Sequence, residues 1–183
     1  MFVLVHPTMA ASRKKVIIRS TTGIFQFGYL PVNGLVAGSG EEAVVDLLDL
    51  EGRIVLIPFS SVRWVAYVRD FNRDDGQEPE GLVRRTFLAR PRIEGLWMRL
   101  TLVGGEVLEG LGPLDLTLLD GLVADQGVYL VPPDARSNTQ RVFVPRHAMV
   151  DVRVVAVVTS PSKAVAVAPK KVTGVSQDSL FPG

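Results

Sequence analysis

A hairpin that occurs twice sets the limits on this fold. Val16-Ile17-Ile18-Arg19-Ser20 runs into Thr22-Gly23 and leaves as Ile24-Phe25-Gln26-Phe27-Gly28. Eighty-two residues on, Met98-Arg99-Leu100-Thr101-Leu102 runs into Gly104-Gly105 and leaves as Glu106-Val107-Leu108-Glu109-Gly110, so Gly23 matches Gly105 and Gly28 matches Gly110. Short apolar runs broken by glycine are strands joined by tight turns, where glycine supplies the positive φ. A second match, Ile54-Val55-Leu56-Ile57-Pro58 with Arg141-Val142-Phe143-Val144-Pro145, keeps an offset of 87, and each is followed by a strand that begins at Val62 or Met149. Copy two therefore carries about five extra residues, expected in a loop. A pattern that recurs with its register kept marks a repeated structural unit.

The repeat predicts an all-β chain of two five-strand units, at 15–70 and 96–158. In copy one a second hairpin, 44–49 with 53–57, turns at Leu50-Glu51-Gly52, and a last strand covers 62–69 after Pro58 has interrupted the ladder. Residues 1–14 read as a flexible extension, with Met1 and Met9 both candidate starts. Residues 71–95 read as a turn-rich linker with a short helix over 82–89, and 159–183 as a disordered tail. The final strands, from Val62 and from Val152, are apolar on both faces and need cover. The two units are therefore expected to pack as a pseudo-symmetric pair through those final strands.

A strand, a glycine turn, a second strand ending in glycine, a variable loop and two more strands is an order similar to that of the Sm-like barrel. Leu102-Val103-Gly104-Gly105-Glu106-Val107-Leu108-Glu109-Gly110 with Asp115 resembles the first Sm motif, and Arg146-His147-Ala148-Met149 resembles the second motif of the bacterial RNA chaperone of that superfamily. The chain from Val16 to Val155 also resembles an uncharacterised bacterial family of tandem Sm-like units. That resemblance rests on Tyr67-Val68-Arg69-Asp70-Phe71, Phe87, Arg90-Pro91, Gly95 and Ser137-Asn138-Thr139-Gln140-Arg141-Val142-Phe143-Val144. It implies two small, pseudo-symmetric five-stranded barrels and no established activity. The pattern departs from RNA-binding members: Asn33 and Asp115 fall one residue short of the usual acidic position, Ala37 and Leu119 stand where a base-contacting Asn belongs, and Pro58-Phe59-Ser60-Ser61 replaces a basic pair.

Composition removes much of catalysis. There is no cysteine, and the two histidines are His6 and His147, so thiolate chemistry, disulfides and His-rich metal centres are excluded. The formal charge of +1 gives no global field toward nucleic acid or anionic lipid. Met1-Phe2-Val3-Leu4-Val5 is cut short by His6-Pro7, too early for a signal core or a membrane span, so the expected location is the cytoplasm. No Gly-x-Ser-x-Gly elbow or Walker loop occurs, and no cofactor or metal is implied.

Three clusters remain. Arg146 and His147, with Asp115, are the candidate RNA-binding residues, since imidazole stacks on bases and arginine neutralises phosphate. Against them stands the simpler reading of a polar turn after Pro145. Arg84, Arg85, Arg90 and Arg92, with Arg99, are the candidate anion-binding residues. The acidic stretch 100–127 instead favours internal pairing with them. Arg69-Asp70-Phe71-Asn72-Arg73 has the Arg-x-x-x-Arg spacing that resembles the PilZ linker for cyclic di-GMP, but Asp115-Leu116-Thr117-Leu118-Leu119-Asp120-Gly121 carries Thr for Ser and a late Gly in the companion motif. The expected function is a non-enzymatic binding or interaction module, an adaptor or regulatory scaffold partnered by protein or by its own kind. An RNA-binding Sm-like protein is the alternative, and a PilZ-like nucleotide binder the lesser one.

Overall fold

In the computed structural model, the described residues are 13–31, 34–71, 91, 93–124, 126–132 and 137–159. Ten strands carry the fold: β1 Lys14–Ser20, β2 Phe25–Leu30, β3 Val44–Asp49, β4 Ile54–Pro58, β5 Val62–Val68, β6 Gly95–Leu102, β7 Val107–Gly112, β8 Gly127–Leu130, β9 Thr139–Pro145 and β10 Met149–Val158. One helix, α1 (Thr117–Val123), lies between β7 and β8. The expected all-β class holds, and the extra residues of the second half form α1 instead of a loop. Its Leu118 and Leu122, one helical turn apart, pack on the core.

The strands form a seven-stranded sheet, β4-β3-β2-β1-β5-β9-β8, and a three-stranded sheet, β10-β6-β7. A single bridge, Leu111 with Val131, links β7 to the residue after β8. Each half repeats one pairing scheme: a four-strand meander whose fifth strand returns to the first. The register repeats as well. Arg19 faces Trp64 and Val16 faces Tyr67, as Thr101 faces Asp151 and Met98 faces Val154, and both ladders shift at the same place near the start of the last strand. Both last strands follow a 3-10 turn, at Phe59–Ser61 and Arg146–Ala148.

Glycine explains two of these matches. Gly23 and Gly105, at φ of 91° and 82°, close the two hairpins. Gly28 and Gly110 let the third strand come close: a Cβ on Gly28 would lie 2.3 Å from the Leu48 carbonyl oxygen, and one on Gly110 2.8 Å from that of Val131.

The two halves do pack together, but not through both final strands. β5 pairs with β9, the fourth strand of the second half, with Val65 opposite Phe143 and Tyr67 opposite Arg141. The physical reason is that antiparallel pairing joins one open edge to another. Within its own half β5 has only β1 beside it and β9 has only β8, so each brings one open edge to the joint, while β10, also an edge, stands at the far end of the strand order with only β6 beside it. The pairing is thus head-to-tail, and the expected symmetric contact of β5 with β10 does not form.

Two cores result, and β5 serves both. Trp64, Ala66 and Val68 join Ile17 and the interior of the second half, including Met98, Leu100, Leu130 and Val144. Val62, Val65 and Tyr67 join Val16, Ile18, Val45, Leu47 and Ile57, with Phe143 contributed from β9. The sheets are open: β4 and β10 each have one neighbouring strand, where a closed barrel would leave neither edge free. The linker after residue 71, the helix expected over 82–89 and the tail from 160 onward lie outside the described residues, as do residues 1–12.

Candidate functional site

The joint between β5 and β9 gathers most of the polar and aromatic chemistry. The Arg141 guanidinium lies between two rings, 4.3 Å from the centre of Tyr67 and 4.7 Å from that of Tyr129. Burial pushes the Tyr67 hydroxyl far above its ordinary range, and a hydrogen bond with Tyr129 adds to the shift. Tyr129 packs on Phe143 at 4.8 Å, and Phe143 on Phe59 at 6.3 Å. Asn138 extends the joint past the last ladder pair: its carbonyl accepts from the Arg69 N–H, its Oδ1 from the Asp70 N–H, and its Nδ2 donates to the Asp70 carbonyl.

Two clefts flank this aromatic row. One, of about 770 Å³, is lined by Gly38, Glu41, Phe59, Tyr129, Phe143 and His147. The other, of about 680 Å³, lies beneath α1 against Leu111, Leu118, Gly121, Tyr129 and Arg141.

His147 reaches the first cleft as part of the joint. Its Nε2 donates to the Val62 carbonyl at 2.9 Å, which fixes the tautomer in that arrangement, and its ring stands edge-on to Phe59 at 5.3 Å. Arg146 is exposed beside it, with its backbone N–H given to the Gln126 carbonyl at 3.1 Å. Asp115 does something separate. Its carboxylate accepts from the Thr117 N–H at 3.0 Å and from the Thr117 hydroxyl, opening α1, and those two bonds hold its pKa below the usual value. The structure thus gives the His147 and Asp115 side chains structural tasks, and it leaves the Arg146 side chain exposed.

Of the arginine cluster, Arg84, Arg85, Arg90 and Arg92 lie outside the described residues. Arg99 is paired internally, as the acidic stretch suggested. Its Nε and Nη2 reach Glu109 Oε1 at 2.6 and 2.5 Å, and Trp97 Nε1 donates to Glu109 Oε2 at 3.1 Å. The Glu109 side chain is 1% exposed. This trio was legible: the Gly104-Gly105 turn sets Arg99 directly opposite Glu109. Of the PilZ-like residues, Arg69 and Asp70 hold the Asn138 contact, Arg73 lies outside the described residues, and 117–121 is the body of α1.

Sequence reasoning missed a second charge cluster. Arg19 and Arg63 from the first half reach Glu106 in the β6–β7 turn at 3.4 and 3.8 Å, and Arg63 Nη2 donates to the Thr21 carbonyl at 2.5 Å. Nothing local signals that contact, because it depends on how the halves dock. Among the described residues, no three His, Asp or Glu side chains come together as a metal site, and no helix is long and apolar enough to cross a membrane.

Exposed apolar side chains gather around α1, where Val123 is 84% and Leu116 71% exposed, and along the two sheet ends. On β4, Ile54 is 73% and Leu56 62% exposed; on β10, Val150, Val152, Val154, Val155 and Val157 are all exposed.

A model of a family of unknown function (DUF6982) matches residues 12–156. No curated protein and no solved structure gives a match.

Proposed function

The chain belongs to this DUF6982 family, and we propose that it is a non-enzymatic interaction module of two tandem Sm-like units, an adaptor or scaffold working in the cytoplasm. The observation that carries the reading is the pair of open sheet edges with apolar side chains uncovered, β4 at one end and β10 at the other. An open edge offers a row of backbone donors and acceptors, and such a row recognises another strand. The repeated strand order and register support the tandem Sm-like description.

The groups best suited to chemistry or to RNA have other work. His147 is held on a carbonyl, and Arg19, Arg63 and Arg99 are neutralised by Glu106 and Glu109. RNA binding needs continuous uncompensated positive potential, which this arrangement interrupts. A filter-binding titration of the full chain against a mixed single-stranded RNA pool at low salt tests the choice. No saturable micromolar binding is expected. Micromolar binding that weakens on Arg146→Ala or His147→Ala would replace this reading with the RNA-binding one.

A further inference from the structure

The joint between β5 and β9 has a counterpart that the molecule leaves open. By the register of the two halves, β10 occupies in the second half the place of β5 in the first, and β4 occupies in the first half the place of β9 in the second. The structural match is close: Val45 faces Ile57 and Leu47 faces Val55, as Val128 faces Val144 and Leu130 faces Val142. β5 and β9 have found each other within the chain, while β10 and β4, at opposite ends of the strand order, have not.

We propose that β10 of one chain pairs with β4 of a second copy of the same chain, antiparallel and in the register by which β5 takes β9. The inference rests on the reading of the molecule as an interaction module and names its partner. Carried across the repeat, the pairs Val65–Phe143 and Tyr67–Arg141 become Val152 opposite Leu56 and Val154 opposite Ile54. All four of these side chains are exposed in the single chain, so the register brings uncovered apolar groups against each other. Neither strand carries lysine, and the two charges of β10, Asp151 and Arg153, are paired with each other at 2.6 Å.

The other face of the joint differs. Where β5 presents Trp64 and Ala66, β10 presents Asp151 and Arg153, which leaves only one side of the new ladder apolar. The contact between copies is therefore weaker than the joint inside the chain, and it is reversible and concentration-dependent. It is also heterologous: each copy that uses its β10 leaves its β4 for the next, so assembly adds whole chains until the ends meet.

Light scattering on the full chain, from nanomolar to high micromolar concentration, should show a mass that grows by whole chains. Ile54→Lys and Val154→Lys place a charge on one edge each, at exposed positions where the fold tolerates it, as circular dichroism should verify. Each variant alone should stay monomeric. An equimolar mixture should give a species of two chains, because the intact β4 of one variant meets the intact β10 of the other. If Val154→Lys is monomeric while Ile54→Lys still dimerises, β10 pairs with itself and the proposal falls. A wild-type chain that stays monomeric throughout also overturns it, and hydrogen exchange then separates two cases. Fast exchange along β10 leaves the edge open and the module reading intact; slow exchange means that the chain covers its own edge, and both readings fall.

Discussion

β5 and β10 stand at the same place in their halves, in the same register against the first strand and with the same irregularity near the start. Both are rich in valine and aliphatic on both faces. Yet β5 has six of its seven residues buried, while β10 buries only its first and last, Met149 and Val158. The difference is the neighbour on the far side: β5 has β9, and β10 has none. A strand with two apolar faces is thus a core wall or an exposed edge according to what the topology sets beside it, and its own sequence decides only how well it suits each part. At the Trp64 position β10 has Asp151, and at the Ala66 position Arg153, which are the substitutions an exposed strand accommodates.

The sharpest way to break this comparison is at its most unequal pair. Trp64 is completely buried in the shared core, so Trp64→Ala should cost about 3–5 kcal/mol, whereas Asp151→Ala at the equivalent site should change stability by no more than about 0.5 kcal/mol. Urea denaturation of the two variants measures both. Equal costs would mean that β10 is covered as β5 is. Next in size is the outer face of the first strand in each half, where Ile17 is fully buried and the matching residue is Arg99. Arg99→Ala leaves the buried Glu109 carboxylate with only Trp97 of its described side-chain partners, and should cost about 1–3 kcal/mol, less than for a fully buried pair because Arg99 is half-exposed. The urea midpoint reports it, and an unchanged midpoint would assign that face to solvent.

The smallest effect is one of pH. Tyr67 on β5 corresponds to Val154 on β10, so at this place only β5 carries a phenol. Burial holds the folded Tyr67 phenol above the ordinary value of 10.0, so the unfolded chain loses that proton first. Stability from this group is complete below about pH 10 and declines as pH rises beyond it, since the unfolded state then binds fewer protons than the folded one. Tyr67→Phe should flatten that alkaline decline in urea midpoints, and an unaltered slope would place its cause elsewhere.

Much of this was readable from residues. The glycine turns fixed both hairpins because a three-residue turn ending in glycine dictates the pairing around it, and Arg99 opposite Glu109 follows from that alone. The apolar character of both faces from Val62 to Val68 rightly announced that the strand needed cover. Which strand supplies it was not readable, since β5 and β9 meet across a long stretch of chain and no local pattern encodes that choice. α1 was missed for a related reason: seven residues with a central Gly121 make a weak helix by propensity, and Leu118 and Leu122 commit to it only once a core lies beneath them. At the candidate site the polar turn at Arg146 and His147 was visible, but the acceptor for His147 is the backbone of Val62, and a main-chain carbonyl leaves no mark in sequence.

The double service of β5 governs how the chain comes apart. Its alternate side chains complete two hydrophobic interiors, so opening either one strips the other of a wall. Trp64, Ala66 and Val68 cannot be withdrawn from the second interior while Val65 and Tyr67 keep the first intact, because one backbone holds all five. The two halves are therefore expected to melt as a single cooperative unit, and the second half, made alone, would lack the strand that covers its interior.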